Sequence, residues 1–336
     1  MKIAIDKNSV NVIYNKNEYI YLFDNESYED LPKKIHCLNY KYCDFVDINL
    51  TNYDIDCIKK AKITDKDFDK LEKVDYKIAI IVPNYNYEHT LEKCLTSILE
   101  QTYKNYEIIF IDDCSTDHSV EIAKRLLKPP NKIVELKQKR YNGGARNEGY
   151  LYVSNDVDYI YYVDSDDWLF DNKSLEKINN KLQSKPDVLF VSMADYKRGK
   201  TSFCYKPEYK DRYDAMKGWS GSCGKVIKKE LATRQECLYD EGTLKEDKNQ
   251  HCKICINMKS FSLLKEPVYV WNRSNTKSVT TIRDDIVWGT STIRHYADTK
   301  KLYLTYKGQD SKIDRILLER LNLCEQEIKE GKDRQW

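Results

Sequence analysis

Residues 77–117 read KIAIIVPNYNYEHTLEKCLTSILEQTYKNYEIIFIDDCSTD. The run 77–82 is continuously apolar but for its first residue, the pattern of a strand buried on both faces. Within 88–102, Leu91, Leu95, Ile98 and Leu99 recur at helical spacing, and 106–111 is a second buried strand. Strand, helix and strand in that order make a parallel unit with a right-handed crossover. The pattern continues: 115–128 opens on Ser-Thr-Asp and predicts a second helix, and 132–137 a third strand. A short helix over 147–155 and a strand over 159–163 follow. The fold class is therefore α/β, a doubly wound, mostly parallel sheet. Ligands of such sheets bind beyond the carboxyl ends of the strands.

Polar clusters fall at three of those ends. Pro83–Asn86 ends the first strand, Asp112–Asp117 the second, and Asp164-Ser165-Asp166-Asp167 the strand at 159–163. Each alone is explained by turn or helix-cap chemistry; three converging on one crevice are not. Three carboxylates in four positions repel one another, so a positive charge is expected beside them. The chain has no G-x-G-x-x-G and no G-x-x-x-x-G-K-[ST], so no dinucleotide or P-loop turn cradles a phosphate. NGGARNEG (142–149) offers backbone amides and the cation Arg146 near an expected helix start, where an anion could sit or the glycines could simply turn. A hard divalent cation, Mg²⁺ or Mn²⁺, fits the carboxylates and would share its remaining positions with a diphosphate.

Composition sets the frame. The 336 residues are 41% hydrophobic, enough for a core, and 56 basic residues nearly cancel 54 acidic ones. No strong field favours nucleic acid, although a local basic patch leaves that partner open. No apolar run reaches membrane-spanning length and the first residues are no signal peptide. A cytoplasmic location is expected, with contact at the inner face of a membrane left open. The 11 cysteines are then expected as free thiols. His36, Cys37, Cys43 and Cys57 have poor spacing for zinc, and Cys252 with Cys255 reads as a packed helical stripe. Residues 1–75 form a small α+β module, with a hairpin around Asn15–Asn17 and a helix from Thr64. A domain over 76–282 follows, then a helical extension over 283–336 whose Ile313, Ile316, Leu317, Leu321 and Leu323 make an amphipathic face suited to docking.

The stretch 78–119, NGGARNEG and YIYYVDSDDWL together resemble glycosyltransferase family 2, inverting sugar transferases of GT-A fold. GSCGKVIKKELA (221–232), LYDEGTLKEDKNQHCKI (238–254) and KEPVYVWNRSNTKSVT (265–280) extend the likeness to about 76–282. The resemblance implies a UDP-sugar donor, with Tyr85 stacking on the base beside Pro83, and Asp113, next to Asp112, accepting from the base. It implies Asp164 near the ribose beside Ser165, Asp166 on the metal, and Asp247 as catalytic base next to Glu246. Arg273 and Ser278 would close over the diphosphate and Trp219 would shape the acceptor pocket. A glycan or other hydroxyl-bearing acceptor is implied, with surface-glycan synthesis as the setting. The Q-x-x-R-W segment of processive synthases is absent, so a single addition is expected. Transfer to a modified nucleic-acid base, and a non-catalytic nucleotide-sugar or glycan binder, stand as alternatives.

Overall fold

The computed structural model of the protein describes the five strands within 2–49, residues 74–276, residue 278 and 285–330; side chains are described for 74–276, 278 and 288–330. The chain divides into two compact units. The first contains strands β1 (Lys2–Asp6), β2 (Ser9–Tyr14), β3 (Glu18–Leu22), β4 (Lys34–Asn39) and β5 (Asp44–Asn49). They pair in sequence order as an antiparallel meander. Where a hairpin is expected around Asn15–Asn17, β2 and β3 pair antiparallel with Tyr14 opposite Glu18; residues 15–17 themselves lie outside the described residues. The helix expected from Thr64, and the side chains of the 36–57 cysteine group, lie outside the described residues.

The second unit is built on a nine-stranded sheet. Its first half follows the alternating pattern: β6 (Ile78–Asn84), α1 (Glu88–Leu99), β7 (Tyr106–Asp112), α2 (Ser119–Leu126), β8 (Lys132–Glu135), α3 (Tyr141–Gly149) and β9 (Tyr159–Tyr162). β6 pairs in parallel with β7 and β9, and β7 with β8, so the apolar runs lie between neighbours. Ile78–Val82 are fully buried, as are Ile108–Ile111. α1 turns Leu91, Cys94, Leu95 and Ile98 inward. One boundary differs. The helix expected over 147–155 starts at Tyr141 and runs through both glycines of 143–144.

The second half is β10 (Trp168–Leu169), α4 (Ser174–Leu182), β11 (Val188–Lys197), β12 (Lys200–Tyr205), α5 (Arg212–Lys217), β13 (Lys225–Lys228), α6 (Lys229–Ala232), α7 (Glu246–Asn257) and β14 (Phe261–Asn272). The spatial order is β10-β14-β11-β13-β9-β6-β7-β8, with β12 on β11. β13 is antiparallel to β9 and to β11, so the sheet is mixed: a parallel half at β9-β6-β7-β8 and an antiparallel half beyond. The carboxyl ends of β6, β7 and β9 thus share one rim.

Two long helices, α8 (Asp285–Tyr306) and α9 (Ser311–Glu330), belong to the same unit. α9 buries Ile313, Ile316, Leu317, Leu321 and Cys324, and Arg320 Nη2 donates to the Met216 carbonyl at 2.7 Å. No described helix is long and apolar enough to cross a membrane. The cysteines whose side chains are described are all free, and Cys252 and Cys255 are buried on one face of α7.

Candidate active site

The rim residues are tied together before any ligand is considered. Asn84, the last residue of β6, donates to Asp112 Oδ1 at 3.0 Å and to Ser115 at 3.1 Å, while Asp112 Oδ2 accepts from the Ser115 amide. Both oxygens of the buried Asp112 are used to shape the turn after β7. Asp113 accepts from the backbone amides of Arg140 (2.6 Å) and Tyr141 (2.8 Å). Burial, the larger effect, pushes its carboxyl up in spite of those bonds. Tyr141 has φ of 58°, a left-handed conformation unusual for tyrosine, and Asp113 pins that turn. Asp113 therefore anchors the start of α3.

Tyr85, on the same rim, is 37% exposed, and the Lys139 ammonium lies 2.9 Å from its ring centroid. Pro83 is buried near the end of β6, and its carbonyl accepts from the Ser165 hydroxyl at 2.7 Å. That bond joins the first strand end to the acidic turn.

The acidic turn has its positive charge, and it is Arg146. Its Nη2 lies 2.7 Å from Asp164 Oδ1 and its Nη1 2.7 Å from Glu246 Oε1, with the side chain only 4% exposed. Arg146 sits in the last turn of α3, not near its start, and its guanidinium faces two carboxylates. Glu246, expected near the acceptor, is likewise buried against Arg146; burial raises its carboxyl and the guanidinium opposes that. Tyr162 and Tyr239 flank the guanidinium, 6.0 and 5.3 Å from their ring centroids.

Asp167 is structural. Its Oδ2 accepts from the Tyr269 hydroxyl at 2.5 Å and its Oδ1 from the Asn272 amide at 2.7 Å, which fastens the turn to β14. Asp166 is left without a cationic partner among the described residues. Its Oδ2 accepts from Asn275 at 2.9 Å and it also receives the Ser278 hydroxyl. Burial and the neighbouring Asp164 charge push it up to about 6. Asn275 Oδ1 in turn faces His89 Nε2 at 3.2 Å, so the segment after β14 reaches the start of α1. Arg273 is exposed, 3.5 Å from Asp195 and stacked by Trp271.

One further grouping exists among the described residues: Asp164, Asp167 and Cys223 offer ligand atoms within 4.8 Å of one another. Asp167 has both oxygens occupied, and burial pushes the Cys223 thiol well up, so this trio suits no hard cation. Asp166, an under-compensated carboxylate beside Asp164, has the donor chemistry such a cation requires.

Asp247 begins α7 beside Glu246. It is partly exposed and makes no hydrogen bond among the described residues, which leaves its oxygens available. Lys225 is a cation that feels the Asp247 charge and that the sequence did not signal. It is buried and donates to the Ser220 and Gly221 carbonyls at 2.7 and 2.8 Å. Burial pulls its ammonium down to about 8, against the pull of Asp247. The same loop holds Trp219, whose ring lies 5.3 Å from that of Tyr205. A Cβ on Gly221 would sit 2.1 Å from the Trp219 ring, so only glycine permits this wrap. Gly143 plays the same part for α3, because a Cβ there would meet the Asp240 carbonyl at 2.6 Å. Close approach of α3 to the 240–246 segment brings Arg146 within reach of Glu246.

A mixed sheet of this order, with an acidic turn after its fourth parallel strand, is the architecture of the GT-A fold. The model of the family Glycosyl transferase family 2 matches residues 79–255, and the chain belongs to that family of enzymes. The chain is 46% identical over 97 residues to the glycosyltransferase GlyA of Streptococcus pneumoniae serotype 4, covering 29% of this chain and 14% of GlyA. It is 32% identical over 116 residues to the Escherichia coli UDP-Glc:alpha-D-GlcNAc-diphosphoundecaprenol beta-1,3-glucosyltransferase WfgD, covering 34% of this chain and 45% of WfgD. The matched stretch thus spans less than half the length of these relatives. The structure of S. aureus TarS 1–349 in complex with UDP-GlcNAc shares the fold, with a TM-score of 0.58 and 20% identity over 73% of this chain and 72% of that one.

Proposed function

We propose that the protein is a metal-dependent, inverting glycosyltransferase that moves one sugar from a UDP-sugar to an acceptor hydroxyl in glycan synthesis. The observation that carries the reading is the division of labour in the acidic turn. Asp164 is paired with Arg146 and Asp167 is fastened to β14, which leaves Asp166 as the carboxylate in need of a cation. Mn²⁺ or Mg²⁺ held by Asp166 would supply Lewis-acid neutralisation of the charge that develops on the departing diphosphate.

The chain's own residues account for the rest. The exposed Tyr85 ring offers a face to the base, Lys139 moving aside or capping it. Asp113 supports this platform by fixing the 140–141 turn, and a remaining lone pair would accept from the base. Asp164, held by Arg146, would present its second oxygen to the ribose. Ser278 and Asn275 bring the segment after β14 onto Asp166, where Arg273 would close over the diphosphate. Asp247, its oxygens unengaged, would take the acceptor's proton as the new bond forms, a contribution of about 10²–10⁴ in rate. One such base opposite the leaving group gives a single displacement with inversion. Trp219, wrapped by its glycines, would wall the acceptor side. UDP rather than another nucleotide is favoured by the UDP-Glc for which WfgD is named and the UDP-GlcNAc bound to TarS.

Calorimetric titration of UDP tests the site directly. Mn²⁺ is expected to tighten UDP binding to the wild type and to have no effect on Asp166→Ala. Equal tightening in both proteins would remove the metal from Asp166.

A further inference from the structure

We infer that the C-terminal helices form part of the catalytic apparatus, with Glu327 as a positioning residue for Asp247. The inference rests on the reading of Asp247 as the base. Helices α8 and α9 lie beyond the stretch that defines the family, 79–255, yet their side chains hold the three consecutive residues before Glu246 and Asp247. From α8, the Ser291 hydroxyl pairs with Thr243 Oγ1 at 2.9 Å and accepts from the Leu244 amide at 2.7 Å. From α9, Glu327 Oε2 lies 2.8 Å from the Lys245 ammonium, both side chains 3% exposed. One turn further along α7, Asn249 Oδ1 accepts from Thr299 of α8 at 3.1 Å.

The chemistry explains why this is more than docking. Lys245 is the residue at which the chain turns into α7, and no side chain caps that end. Its ammonium is buried, so it must follow its counter-ion: where Glu327 is held, Lys245 and the first turn of α7 are held. A shift of about 1 Å in a reacting group is enough to lower turnover by about 10²-fold. α9 also docks through Arg320 on the Met216 carbonyl, a contact that does not touch 243–247. Arg320 therefore separates anchoring of the helix from positioning of the base.

The test uses the full chain with Glu327→Gln, Glu327→Asp, Ser291→Ala and Arg320→Met. UDP release from UDP-glucose and from UDP-N-acetylglucosamine is followed with Mn²⁺ and water as acceptor, alongside hydrogen exchange of the amides of 243–249. Glu327→Gln is expected to lower kcat about tenfold with KM for the donor within about twofold, and to speed exchange over 243–249 while β6 and β7 stay protected. Ser291→Ala moves the same way, Glu327→Asp recovers part of the loss, and Arg320→Met leaves kcat and the 243–249 amides as in the wild type. Unchanged exchange over 243–249 in Glu327→Gln overturns the inference, as does a kcat no lower than that of Arg320→Met or a loss confined to KM. Asp247→Asn separates the two readings. Wild-type turnover in that variant removes the base, whereas the exchange measurement still decides whether Glu327 holds the segment. Should neither donor be turned over, exchange alone decides it.

Discussion

Arg146 Nη2 and Asp164 Oδ1 lie 2.7 Å apart, an ion pair between the last turn of α3 and the turn after β9. The other Nη of the same guanidinium reaches Glu246, so one buried cation joins the donor side of the crevice to the helix that carries Asp247. Arg146→Met leaves two carboxylates facing one another without a cation and is expected to destabilise the fold by about 3–5 kcal/mol. Arg146→Lys is expected to recover little, because one ammonium cannot replace two divergent N–H donors. Urea unfolding of the three proteins checks this; a loss within about 0.5 kcal/mol for Arg146→Met would mean that the pair is incidental.

The carboxylates of the acidic turn separate by role. Asp167→Ala leaves the Tyr269 hydroxyl proton and the Asn272 amide without their acceptor and is expected to cost about 1–3 kcal/mol for each. Asp166→Ala, at the partly exposed site, is expected to fold with near wild-type stability while losing the Mn²⁺ effect on UDP affinity. A chelator-treated thermal scan beside a UDP titration distinguishes the two patterns. The reverse assignment follows if Asp167→Ala melts normally and alone loses the metal response.

Asp166 also sets a pH dependence. Its folded-state carboxyl is raised from 3.8 to about 6 by burial and by Asp164, so folding favours the protonated form. Its stabilising contribution is complete below about pH 3.8 and is lost as pH rises through about 6. In chelator, the unfolding free energy of the wild type minus that of Asp166→Asn is expected to fall by about 2 kcal/mol between about pH 4 and about pH 7, most of the full span that 1.36 kcal/mol per pKa unit gives. Parallel curves across that window would contradict the raised carboxyl.

Tyr85→Ala removes the exposed platform at the rim. Base–aromatic stacking is worth about 1–3 kcal/mol, so the Kd for UDP is expected to rise about five- to 150-fold with stability unchanged. A Kd within twofold of wild type would place the base elsewhere.

The parallel half of the sheet was legible because buried strands leave unbroken apolar runs and α1 leaves its spacing at Leu91, Leu95 and Ile98. α3 was misplaced because Gly143 and Gly144 read as a turn, where in fact a glycine allows the helix to approach the Asp240 carbonyl. The acidic turn was found but its partner was not. Arg146 lies 18 residues from Asp164 and 100 from Glu246, and no local pattern encodes a pairing across that distance. Lys225 was missed for the same reason, since its partners are backbone carbonyls and its charge neighbour Asp247 lies on α7, far along the chain from β13. The apolar face of α9 was readable from Ile313 to Leu321; the grip of Glu327 on Lys245 was not, because a lone glutamate on a charged helix looks like solvent-facing surface.

The central claim is that Asp247 takes the acceptor's proton beside a metal-bound diphosphate. It is tested most directly by UDP release from a panel of UDP-sugars with Mn²⁺, comparing wild type with Asp247→Asn. The account predicts a fall of about 10²–10⁴ in kcat with UDP affinity unchanged. Asp247→Asn turning over at the wild-type rate would contradict it.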